Sequence, residues 1–147
     1  MESKRIKLAF TPLFLFLLLI TGCKKEEGIG GTSTIRGKVI VHDFDGAFLE
    51  QVPRSIYPSK DEKVYIIYGE DDNLYDENFN TSFDGSYEFK YLQKGKYRLF
   101  VYSKDSTGAK TTGMLSSVKI PIIVNVEVKS NGSTVEVPDM IILDNNF

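Results

Sequence analysis

The chain has 147 residues, 18 Lys plus Arg against 20 Asp plus Glu, 41% hydrophobic residues, one cysteine and no tryptophan. That length bounds one domain with a leader, and a lone cysteine excludes an internal disulfide. The formal charge is −2, and −4 once residues 1–22 are set aside as a leader, which argues against a nucleic-acid partner.

Lys4, Arg5 and Lys7 precede an apolar run over residues 8–20 that only Thr11 and Pro12 interrupt. The run is shorter than the roughly 20 residues of a membrane-spanning helix, and its basic flank is that of a secretory signal. Ile20-Thr21-Gly22-Cys23 follows and resembles a lipobox, the motif read by bacterial lipoprotein signal peptidase. Small residues admit the chain to a narrow protease site, and the cysteine thiol receives the lipid. The resemblance implies that residues 1–22 are a signal peptide and that Cys23, carrying palmitate-type acyl chains, becomes the first mature residue. Two or three acyl chains hold a protein stably on a bilayer, where one does so only marginally. Lys24 stands where inner-membrane retention signals carry Asp, which implies outer-membrane sorting, on the periplasmic or the cell-surface face. Removal of residues 1–22 takes Glu2 and three basic residues with it, leaving 15 basic against 19 acidic residues.

Residues 23–33 contain three glycines and almost no apolar content, so they are expected to be a flexible tether. Residues 34–147 form the domain. In residues 34–42, Ile35, Gly37, Val39 and Val41 share one face of a strand, and Arg36, Lys38, Ile40 and His42 share the other. Residues 43–62 are expected to be an irregular connection, since Pro53 and Pro58 oppose regular structure. Residues 63–68 are apolar enough for a central strand. Residues 69–75 make an acidic loop, and 77–83 are expected to pair with the strand at 86–92. There Tyr87, Phe89 and Tyr91 alternate with Ser86, Glu88 and Lys90, and Tyr97, Leu99 and Val101 repeat the pattern after Lys94-Gly95. Residues 103–113 read as a loop. Residues 118–129 read as a strand that Pro121 marks as an edge, a bulge or a break, and 134–143 as a last strand interrupted at Pro138-Asp139.

This spacing of short strands and turns predicts an all-β, antiparallel Greek-key β-sandwich of about seven strands. Asp84-Gly85-Ser86-Tyr87-x-Phe89-x-x-Leu92-x-x-Gly95-x-Tyr97, with the opening Ile35-x-Gly37-x-Val39, resembles carboxypeptidase regulatory-like domains, which are transthyretin-like (prealbumin-like) sandwiches. Gly85 and Gly95 are then turn positions that side chains resist, and Tyr87, Phe89 and Leu92 are structural. Tyr97 is placed as a tyrosine corner, its ring in the core and its hydroxyl on nearby backbone.

Chemistry is scarce. His42 is the only histidine, so the usual Ser-His-Asp, Cys-His and zinc constellations cannot be assembled, and no catalytic residue is assigned. Hydroxyisourate hydrolases share the transthyretin-like fold, but they rely on several histidines and a Tyr-Arg-Gly-Ser ending that this sequence lacks. Asp43, Asp45, Asp71, Asp72 and Asp76 are the candidate calcium ligands, because hard cations collect carboxylates from acidic loops. Tyr57, Tyr65, Tyr68, Tyr75 and Tyr102 invite sugar stacking. The reading is a non-catalytic, lipid-anchored binding or structural module of the cell envelope, its partner an envelope protein or glycan. The alternatives are an adhesin or fimbria-like subunit assembling by strand addition through residues 118–128, and a carbohydrate-binding module.

Overall fold

The computed structural model describes residues 27–44, 52–70, 74–112 and 115–145. The signal peptide, Cys23, Asp45, Asp71 and Asp72 lie outside the described residues. The elements run β1 (Ile29–Asp43), β2 (Ser55–Pro58), β3 (Lys63–Tyr68), β4 (Glu77–Asn80), β5 (Ser86–Leu92), β6 (Gly95–Lys104), the short α1 (Ala109–Thr112), β7 (Lys119–Val128), β8 (Thr134–Glu136) and β9 (Met140–Asp144). They build the expected all-β sandwich: β1, β2, β5, β8 and β9 form one sheet, and the other has the order β4-β3-β6-β7.

The spine of the first sheet is β1. Val39 donates its N–H to the Gly85 carbonyl and accepts at its own carbonyl from Ser59 N–H, both at 2.9 Å. A residue's N–H and C=O point to the same edge of a strand, so β5 and β2 abut along one edge of β1. On the opposite edge Thr34 N–H donates to the Ser133 carbonyl, and Phe44 N–H to that of Asp144, which places β8 and β9 there. These two pair with β1 in parallel, whereas the other pairings among the described residues are antiparallel.

Inward residues of both sheets make one core. Ile35, Val39, Val64, Ile66, Leu92, Leu99 and Val101 are completely buried, and Tyr87, Phe89, Tyr97 and Met140 nearly so. Each such side chain contributes about 1.5–3 kcal/mol relative to exposure. A satellite cluster of Phe44, Ala109 and Leu115 closes one end. Beside it the buried Ser103 ties the sheets together, its hydroxyl accepting from Leu143 N–H at 2.9 Å.

Four local expectations change. First, β1 starts at Ile29, inside the stretch read as tether, because the glycines there serve close packing. A Cβ on Gly31 would overlap the Leu92 carbonyl, and Gln93 N–H donates to the Gly28 carbonyl at 2.8 Å. Second, β2 forms within the expected irregular connection. Pro58 is its last residue and Ser59 N–H carries the ladder onward, so the missing proline donor is not needed. Third, β4 pairs with β3 rather than β5, since residues 81–85 carry the chain across to the other sheet. Fourth, Tyr91 does not share a face with Tyr87 and Phe89. Its backbone is left-handed, with φ 60°, which inverts the alternation, exposes Tyr91 and sends Leu92 inward.

Candidate functional site

Alternation along β6 fixes the site. Tyr97, Leu99 and Val101 point inward, so Arg98, Phe100 and Tyr102 must point out. Register then aligns their neighbours: Tyr65 of β3 and Ile123 of β7 flank Phe100, and Pro121 flanks Tyr102. The outer face of the second sheet therefore carries an aromatic strip. The Tyr65 and Phe100 rings are stacked with centroids 4.8 Å apart and planes 9° from parallel. Tyr102 stands edge-on to both, at 5.8 and 5.6 Å. Tyr75 comes in from the loop before β4, also edge-on to Tyr65 at 4.8 Å.

Offset stacks and edge-to-face pairs suit the ring quadrupole and are worth about 0.5–1.5 kcal/mol each beyond burial. The inner pair holds the outer two in place. Tyr75 is 51% exposed and Tyr102 39%, with Ile123 beside them at 55%. Burial among these neighbours pushes the Tyr65 phenol above its ordinary value. Asn78 pairs with Tyr65 on one side of the strip, and Asn125 with Arg98 on the other. A shallow pocket of about 180 Å³ adjoins Asn125, bounded by Glu70 and Lys96, which form an ion pair at 2.9 Å. Flat apolar rings bordered by amides suit a ligand with an apolar face and a hydroxylated rim.

Three of the five tyrosines singled out in the sequence, Tyr65, Tyr75 and Tyr102, thus converge. Tyr57 lies on β2 in the first sheet. Tyr68 turns inward, edge-on to Tyr97 at 5.8 Å, and donates its hydroxyl to Glu77 at 3.0 Å. Phe100 and Ile123 belong to the strip although sequence reasoning passed over them. The signal for Phe100 was present in the alternation of β6, whereas Ile123 required the register of β7.

The calcium candidates that fall in the described residues are already engaged. Asp43 is buried and accepts from Arg54 at 2.6 Å, and Asp76 accepts from Tyr68 N–H at 2.7 Å. Among the described residues no group of three or more His, Cys, Asp or Glu side chains is placed to hold a metal. His42 sits half-buried on the outer face of β1, between Ile56 and Leu143.

The motif residues take structural positions. Gly85, with φ 76°, fills the joint where β5 and β2 abut, and a Cβ there would lie 2.5 Å from the Val39 carbonyl oxygen. Gly95 packs against the Glu27 side chain at the corner where the chain leaves β5 for β6 and changes sheets. Phe89 lies edge-on to Phe79 at 6.3 Å, and Leu92 ends the strand in the core. The Tyr97 hydroxyl donates to the Gln93 carbonyl at 2.8 Å and accepts from Gly28 N–H at 3.2 Å.

No family model and no curated protein matches the chain. It is similar to a crystal structure described as a putative carbohydrate binding protein from Pseudomonas aeruginosa, at 13% identity and a TM-score of 0.48, over 77% of this chain and 90% of that one. It is also similar to the structure of (S)-allantoin synthase, at 14% identity and a TM-score of 0.39, over 81% of this chain and 44% of that one.

Proposed function

We propose that this chain is a non-catalytic binding module anchored to the outer membrane through lipid on Cys23, and that it holds glycan on the aromatic strip of its second sheet. The lipobox-like Ile20-Thr21-Gly22-Cys23 and the carboxypeptidase regulatory-like pattern from Asp84 to Tyr97 support the first half. One observation carries the second: Tyr65, Tyr75, Phe100 and Tyr102 gather from three parts of the chain onto one outward face. A sugar ring offers axial C–H groups, slightly positive, to the negative face of an aromatic ring, and its equatorial hydroxyls reach neighbouring amides such as Asn78 and Asn125.

Affinity electrophoresis through gels containing soluble polysaccharides tests this reading. Retardation by at least one polysaccharide is expected. Tyr75→Ala and Tyr102→Ala should each weaken it about 30-fold, the loss of an aromatic anchor worth about 2 kcal/mol. Unretarded migration in every gel would refute it.

A subunit that assembles by strand addition is the second reading, and β7 is the observation in its favour. Its ten residues pair with β6 alone among the described residues. That edge nevertheless carries Pro121, and Lys119, Glu127 and Lys129 are charged, devices by which sheets discourage edge pairing. Concentration-dependent assembly of the purified chain would decide for β7 and against the strip.

A further inference from the structure

A groove of about 560 Å³ lies where β4, β5, β1 and the segment after β8 meet, lined by Phe79, Ser86, Tyr87, Gly37 and Asp139 among others. It falls in the size range of small-molecule sites, and it is distinct from the aromatic strip on the other sheet. Tyr87 is only 2% exposed, and its hydroxyl has no hydrogen-bond partner among the described residues. Buried hydroxyls are rarely left so, because an unmade bond penalises the fold. The hydroxyl occupies space that Gly37 leaves open: a Cβ on that glycine would come within 2.6 Å of it.

The charges around the groove indicate the kind of ligand. Its cations are already paired: Arg36 with Glu136 at 2.5 Å, and Lys38 with Asp84 at 3.4 Å. Glu88 is held by Lys90 at 2.7 Å. Asp139 makes no ion pair or side-chain hydrogen bond among the described residues, and it lies close enough to act electrostatically on Tyr87. An anion would therefore find no spare cation. What is left over is an acceptor carboxylate, a hydroxyl able to donate or accept, and the Phe79 ring, 37% exposed.

We propose that this groove binds a small neutral polyol of sugar-ring size, whose hydroxyls donate to Asp139 and pair with Tyr87 and whose C–H face rests on Phe79. The site does not depend on the strip, and its test separates the two. Saturation-transfer NMR on the purified full-length chain, with glucose, galactose, mannose and ethanolammonium as probes, is expected to show transfer to at least one sugar. In a Tyr102→Ala background, where the strip no longer contributes, Tyr87→Phe and Asp139→Asn should each weaken that binding about tenfold, the scale of one hydrogen bond. The thermal melt of Tyr87→Phe should match or exceed that of the parent, because the deleted hydroxyl bonds nothing in the protein. The proposal falls if no sugar receives saturation or if only ethanolammonium does. It falls equally if Tyr87→Phe and Asp139→Asn bind as that background does, if Tyr102→Ala abolishes the transfer, or if Tyr87→Phe melts lower.

Discussion

Replacing Tyr97 by Phe removes one oxygen and leaves a buried ring in place, so it creates no cavity of note. That oxygen serves two segments. It donates to the Gln93 carbonyl in the corner between β5 and β6, and it accepts from Gly28 N–H just before β1. Gly28 is buried, so its N–H would be left without a replacement from solvent. One net hydrogen bond is worth about 1 kcal/mol and an unpartnered buried donor costs at least about 1 kcal/mol more, which gives about 2 kcal/mol in all. For a domain of this size that corresponds to a drop in Tm of about 8 °C. Urea unfolding should show a lower midpoint with an unchanged m-value, since the exposed surface is the same. Tyr68→Phe is the control: its hydroxyl meets Glu77 at the surface, and its loss should cost less than about 0.5 kcal/mol. Equal losses in the two variants, or a Tyr97→Phe loss below about 0.5 kcal/mol, would refute the view that this hydroxyl joins the first strand to the corner.

Gly85→Ala is expected to destabilise by about 3 kcal/mol, combining left-handed strain with overlap at the Val39 carbonyl; a loss under about 1 kcal/mol by chemical denaturation would argue against a tight joint between β5 and β2. Burial is the largest cause in each case and raises the Tyr65, Tyr68, Tyr87 and Tyr97 phenols. Their stabilising contribution is complete below the unfolded-state value of about 10 and is lost as pH rises through the higher folded-state values. Melting temperature should accordingly fall above about pH 10, and less steeply in the Tyr87→Phe, Tyr97→Phe double variant. Cys23→Ser should move the protein from the membrane to the soluble fraction, and retention in the membrane would remove the lipid anchor from the proposal. Millimolar calcium should leave the melt unchanged, because Arg54 already engages Asp43; a rise of several degrees would restore the acidic loops as a site.

What was legible in the sequence was whatever period-two alternation states directly. It located β1, β5 and β6, because an inward side chain at every second position is a local requirement; β3 showed instead as an apolar run, and the break between β8 and β9 as Pro138-Asp139. It failed where a residue answers to a distant one. Gly30 and Gly31 look like linker until the Leu92 carbonyl is seen to pass beside Gly31. Pro58 looks like a breaker until it proves to end a strand. The inversion at Tyr91 is set by one backbone angle that no side-chain pattern announces. The strip was half legible for the same reason. Its tyrosines stood out by composition, whereas their convergence depends on the registers of β3, β6 and β7, which are non-local.

The early start of β1 also bears on how the proposed anchor and the strip are related. Because Gly28 is bonded at the corner and Glu27 packs against Gly95, only three residues separate Cys23 from Glu27, a reach of at most about 14 Å when fully extended. The strip lies farther along β6 from that corner. Phe100 and Tyr102 are five and seven residues beyond Gly95, about 16 and 23 Å at the rise of a strand. In the lipid-anchored arrangement proposed here, the β5–β6 corner is therefore the end held near the bilayer, and the aromatic face stands beyond the reach of its own tether. A glycan bound there would lie across the flank of the domain rather than between the domain and the membrane. An eleven-residue flexible tether would have allowed the domain any orientation. The ordered Gly28 contact removes much of that freedom, and it does so through the same Tyr97 hydroxyl that holds the corner.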